Sequence, residues 1–211
     1  MRCSEKAYNK VIYDTNIILY YCFNHNLKVR GVTVSCRVPE FTNKSLSYTE
    51  YFVRKQIAIE TIKQVIDEII QKGVAKIVNE YCDDNLTKDL MRIKRSRNVP
   101  HAVKLILYKN TESKIKNLQN KTWFNVVDYD MNSAKFATIK TFFNSLGSTP
   151  KMIDHMREKK RRFPWPSDVD MLLLVYSEEK NSPILTNDKD FTNFIVELET
   201  GGICFGIIGL N

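Results

Sequence analysis

The sequence predicts an α/β protein, a doubly wound and mostly parallel central sheet with helices on both faces. Three observations carry this. Short apolar runs alternate with amphipathic stretches through most of the 211 residues, the pattern of strand–helix–strand units. Two of those runs, V-I-Y-D and P-I-L-T-N-D, stop at acidic residues, as strands do at the carboxyl edge where open α/β sheets build their sites. No glycine-rich loop follows the first run, which argues against a dinucleotide-binding version of the fold.

Taken in order, residues 10–14 (K-V-I-Y-D) read as a buried strand, and T-N-I-I-L-Y-Y-C-F starts a helix that Thr15 or Asn16 can cap. Residues 31–36 and 56–59 are β-prone, and the polar segment between them, with Pro39, Asn43 and Ser45, reads as a loop. From Glu60 to Gln71, Ile62, Val65, Ile66, Ile69 and Ile70 recur at helical spacing, and Gly73 suits a C-terminal cap. Residues 84–121 are lysine-rich and read as a helical insertion. W-F-N-V-V-D (123–128) reads as a core strand, and Asn132–Leu146 as a helix ended by Gly147. The charge run R-E-K-K-R-R-F-P-W-P (157–166) leads to Ser167, an N-cap for an apolar helix over 168–177. A strand at 183–186, a short helix from Phe191 and a strand at 203–208 complete the chain. The whole of 1–211 reads as one domain.

Lys and Arg number 32 against 24 Asp and Glu, a net charge of +8. Such a balance suits a polyanionic partner, although solubility alone is the ordinary reason for it. Five cysteines without a C-x-x-C and three histidines without an H-x-x-x-H argue against zinc. The N-terminus lacks the apolar core of a signal peptide, and Val11–Phe23 is too short and too polar to span a bilayer. The expectation is a soluble, cytoplasmic protein without a membrane partner.

The chemistry rests on four acids: Asp14, Glu68, Asp170 and Asp188. Each has an ordinary role available: helix N-cap, surface glutamate, first-turn charge and turn residue respectively. Gathered at one sheet edge they would repel one another unless a cation lay between them. Oxygen-only ligands suit one or two Mg²⁺ or Mn²⁺ ions, which can activate water and neutralise a leaving oxygen in phosphodiester hydrolysis. Asp168 and Asp190 are the reserve ligands. Asn16 and Thr186 could hold Asp14 and Asp188 by hydrogen bonds, or serve only turn and cap bonding.

The order strand–D-T-N, E-I on a helix, D-M-L-L-L-V-Y-S and I-L-T-N-D-K-D-F resembles the PIN-domain nucleases, the fold of the VapC-type toxins. The likeness covers roughly residues 10–75 and 123–210, and T-N-D-K-D-F is its most specific part. It implies a Mg²⁺- or Mn²⁺-dependent ribonuclease with the four acids as its catalytic metal ligands. It further implies RNA as partner and, for a toxin, an antitoxin protein; a homodimer is compatible with it. Two rival readings stay open. A haloacid-dehalogenase-like phosphatase also begins with a strand ending in Asp, but needs a second Asp where Asn16 stands. A PIN-like module could also bind RNA or protein without cutting.

Two basic clusters are candidate substrate contacts: Arg92, Lys94, Arg95 and Arg97, then Lys159, Lys160, Arg161 and Arg162 beside Arg157. Each could track a phosphate backbone or form a solvated face. Trp165, just beyond the second cluster with Phe163, could stack on a single-stranded base or anchor in the core.

Overall fold

Val11 and Ile12 have no exposed surface because their strand runs through the middle of a sheet covered on both sides. The computed structural model describes residues 8–29, 32–82, 99–130 and 133–210. In chain order the elements begin with β1 (Lys10–Tyr13), α1 (Thr15–Cys22), β2 (Asn24–Val29), β3 (Val32–Arg37), α2 (Pro39–Arg54) and β4 (Ala58–Ile62). Then come α3 (Lys63–Glu68), a π-helical turn (Ile69–Gly73), α4 (Val74–Tyr81), α5 (Val99–Gln119) and β5 (Phe124–Val127). The last part holds α6 (Ser133–Leu146), α7 (Pro150–Glu158), α8 (Asp168–Lys180), β6 (Ile184–Thr186), α9 (Lys189–Thr192), α10 (Ile195–Thr200) and β7 (Ile207–Gly209).

The main sheet has the order β5-β4-β1-β6-β7, and every pairing in it is parallel. From β1 the chain moves outward to β4 and β5, then returns across β1 to β6 and β7. Right-handed crossovers in opposite directions put the two sets of helices on opposite faces, so the sheet is doubly wound. The side chains agree. Tyr13 hydrogen-bonds Thr49 of α2 on one face at 2.8 Å, and Tyr176 of α8 reaches Glu60 on the other at 3.0 Å. One hydrophobic cluster extends from Val11 to Leu210. No helix among the described residues is long and apolar enough to cross a membrane.

Several elements differ from the sequence reading, each for a physical reason. Residues 39–54 form helix α2 instead of a loop. Pro39 starts it, where a missing N–H costs nothing. Its buried face is Thr42, Ser45, Thr49 and Phe52, helically spaced but mostly hydroxyl-bearing. Ser45 and Thr49 donate to carbonyls one turn back, at 2.9 and 2.7 Å, so these side chains enter the core satisfied. Glu60–Ile62 belong to β4, not to the helix start, because Glu60 is neutralised by Lys10 at 2.9 Å. Gly73 does not end a helix, because the chain continues helically through it into α4. It lies in the π turn, where a Cβ would stand 3.0 Å from Leu19 Cδ1, so its bareness lets the helix pass close to α1. Residues 24–29 pair with 32–37 in an antiparallel hairpin outside the main sheet. His25 ties it to α5 through Thr111 at 2.9 Å. Of the expected insertion, 99–119 is the single helix α5, and the basic cluster Arg92, Lys94, Arg95 and Arg97 lies outside the described residues.

Candidate functional site

Strands β1 and β6 are neighbours, yet the chain leaves β1 towards β4 and reaches β6 from the far side. The crevice beyond their carboxyl ends is therefore the topological switch point, where ligands of open α/β sheets bind. Asp14 follows β1 directly and caps α1, with Oδ1 accepting from the Thr15 N–H at 2.6 Å. Thr186 ends β6. Its hydroxyl donates to Asp14 Oδ2 at 2.6 Å and accepts from the Asp188 N–H at 2.9 Å. One hydroxyl thus joins two acids that the sequence separates widely. Asp14 is only 1% exposed.

Glu68 ends α3, and its Oε2 accepts from Thr15 Oγ1 at 2.9 Å, which draws it to the Asp14 side of the edge. Asp170 sits in the first turn of α8. Ser167 caps that helix and closes a reciprocal capping box, its hydroxyl 2.7 Å from Asp170 Oδ2. Asp188 caps α9 by accepting from the Asp190 N–H at 2.8 Å. Asp168 is exposed at the start of α8. Asn16 is half-buried on α1, while the described hydrogen bonds to the Asp14 carboxylate come from Thr186 and the Thr15 N–H.

Electrostatics shows which acids feel one another. Burial pushes the Asp14 carboxyl up to about 7, with Asp188 and Glu68 adding repulsion and the bonds from Thr186 and Thr15 opposing it. Burial and then the Asp14 charge push Asp170 well above the usual carboxylate range, with Asp188 and Asp190 adding to this. Among the described residues no Lys or Arg forms an ion pair with Asp14, Glu68 or Asp170. Burial and mutual repulsion therefore draw the Asp14 and Asp170 carboxyls towards their protonated forms.

Asp190 is the opposite case. It is 2% exposed and accepts two bonds from Arg161 at 2.7 and 2.5 Å and one from His155 at 2.5 Å. Burial alone would raise its carboxyl, but Arg161 and His155, with Lys159 behind them, hold it below the ordinary value. Lys159 Nζ lies 2.8 Å from Asp188 Oδ1. Two members of the second basic cluster thus face inward onto acids, whereas Lys160 and Arg162 are exposed. Trp165 is half-buried and stacks against Phe163. His155 carried no signal in the sequence: a lone histidine just ahead of a charge run gives no hint of a buried partner 35 residues later.

The donor set of Asp14, Glu68, Asp170 and Asp188 is all carboxylate oxygen, which fits a hard divalent cation, and among the described residues Lys159 pairs with one of the four, Asp188. Each carboxylate is nonetheless turned to a local partner. Among the described residues no group of three or more His, Cys, Asp or Glu side chains stands close enough together to hold a metal ion. No protein-family model matches the chain, and no curated protein and no solved structure matches it either.

Proposed function

We propose that the protein is a PIN-like, Mg²⁺- or Mn²⁺-dependent nuclease that hydrolyses phosphodiester bonds, with RNA as substrate and the cytoplasm as its place of work. The observation that carries this reading is the Thr186 hydroxyl joining Asp14 to Asp188 at the switch point, beside an Asp170 carboxyl that Asp14 repels. Asp14, Asp170 and Asp188 would hold the ion, with Glu68 contributing directly or through water. When bound, the ion supplies charge neutralisation and a water acidic enough to attack at neutral pH. Thr186 fixes the orientation of Asp14, Ser167 that of Asp170, and the Lys159 ammonium offsets part of the charge on Asp188. Exposed Lys160 and Arg162 are free to meet phosphates.

Cleavage assays with single-stranded RNA, duplex RNA and DNA, with and without Mn²⁺, test this directly. Metal-dependent cutting of RNA is expected. Binding without cutting under every condition would favour the second reading, a non-catalytic nucleic-acid module. The Lys159–Asp188 pair supports that alternative, since an internal cation already neutralises one of the four acids.

Thr186→Val is a sharper probe. The change keeps the shape but removes the donor to Asp14 and the acceptor for Asp188. Mn²⁺ affinity should fall about 10- to 100-fold, as for other partners that orient metal ligands. The lost bonds should destabilise the protein by about 1–3 kcal/mol. Isothermal titration with Mn²⁺ and urea unfolding measure the two effects. Unchanged affinity would remove Thr186 from the site.

A further inference from the structure

We infer that Phe163 and Trp165 form an aromatic ledge beside the acid cluster, on which a base of single-stranded nucleic acid stacks. The two rings are nearly parallel, with centroids 4.6 Å apart and an interplanar angle of 13°. Trp165 packs against the hydrophobic core, while Phe163 is 55% exposed. The order is therefore core, indole, phenyl, solvent, with one face of the phenyl ring free. Lys140 Nζ lies 5.7 Å from the Trp165 ring centroid and keeps positive charge at the ledge. Lys160 and Arg162, both exposed, flank it in sequence.

The ledge is fastened to the acids at both ends. Upstream, Arg161 and Lys159 bind Asp190 and Asp188. Downstream, Ser167 binds Asp170. Phe163 stands two positions after Arg161 and four before Ser167, so the chain limits these spans to about 7 and 14 Å. A strand resting on Phe163 can thus lie across the acids. Pro164 and Pro166 stiffen the segment between. A base has the flat apolar face that the ring lacks as a partner, and its phosphates complement the flanking cations. A duplex hides its bases inside the stack, so the ledge selects single strands.

This inference rests on the nucleic-acid reading of the acid cluster, but its test does not need cleavage. In a Trp123→Phe background Trp165 is the remaining indole, and its fluorescence reports on the ledge. In EDTA, a single-stranded RNA of about ten nucleotides, within the range of ordinary single-strand sites, should change that emission. Phe163→Ala should weaken binding about tenfold (about 1.4 kcal/mol), and Phe163→Tyr should restore it. An abasic strand with the same number of phosphates should bind the parent as weakly as RNA binds Phe163→Ala. Equal affinity for the abasic strand and RNA, or an unchanged Kd in Phe163→Ala, overturns the ledge even if Mn²⁺-dependent cleavage is intact. Emission changes that follow this pattern without any cleavage keep the ledge and remove the nuclease reading. Self-association by sedimentation that is lost in Phe163→Ala, with no response to RNA, would make this face a contact between copies instead.

Discussion

Asp14→Asn is expected to lower metal-dependent cleavage by about a hundredfold or more and, in the absence of metal, to make the protein more stable. The first effect follows because partners that merely orient a metal ligand are worth about 10–100-fold, and a ligand is worth more. The second follows from burial. An Asp14 carboxyl pushed from 3.8 to about 7 carries a penalty of about 4 kcal/mol once ionised. The rearranged bond to Thr186 offsets about 1 kcal/mol of the gain, so a stabilisation of about 2–3 kcal/mol is expected at pH 8. The sign in pH is set by the folded value lying above the unfolded one. The penalty is absent below about 4, grows as pH rises, and is complete above about 7. In EDTA the parent protein should therefore gain about 1 kcal/mol between pH 8 and pH 6 from this group, and Asp14→Asn should not. Urea unfolding at the two pH values, with cleavage measured in parallel, decides the matter. A variant that cuts at the parental rate would eliminate the metal-site proposal.

Arg161→Ala should destabilise the fold by about 3 kcal/mol near neutral pH, since it strands most of a buried charge. Asp190 would keep His155 and Lys159, but lose the planar fork that fills both its oxygens. Arg161→Lys should recover only part of the loss, because an ammonium cannot make the paired contact. Here the pH sign is reversed. The Asp190 carboxyl is held below 3.8 in the folded state, so its stabilisation is present above that value and disappears as pH falls through the lower folded one. Parent and Arg161→Ala should thus converge in strong acid. Equal urea midpoints at pH 7 would show that the pair holds nothing in place.

The parallel sheet was legible because Val11–Tyr13 and Ile184–Thr186 are continuous apolar runs, the mark of strands buried on both faces. Asp14 and Asp188 were legible as candidates for the same reason: each stands where such a run stops. Helix α2 was hidden because its buried face is written in Thr and Ser, residues that read as turn formers until their hydroxyls are seen bonded within the helix. Glu60 was misread as a helix opener because nothing local reveals that, inside a strand, Lys10 pairs with it and the Tyr176 hydroxyl donates to it. The inward direction of Lys159 and Arg161 was hidden likewise. Composition marks a cation but not the acid it faces. That acid, Asp190, is legible only as part of T-N-D-K-D-F, whereas its partner His155 lies on α7, a separate element.

The Thr186–Asp14 bond spans 172 residues, and β1, early in the chain, is the strand at the middle of the sheet. During synthesis β1 must therefore wait for about 170 further residues before its second neighbour exists. Such long-range pairing is slow to form. Until β6 docks, Asp14 has neither Thr186 nor Asp188 beside it. A nascent or truncated chain ending short of residue 184 lacks Thr186 and Asp188, and so holds Asp14 without the hydroxyl that orients it.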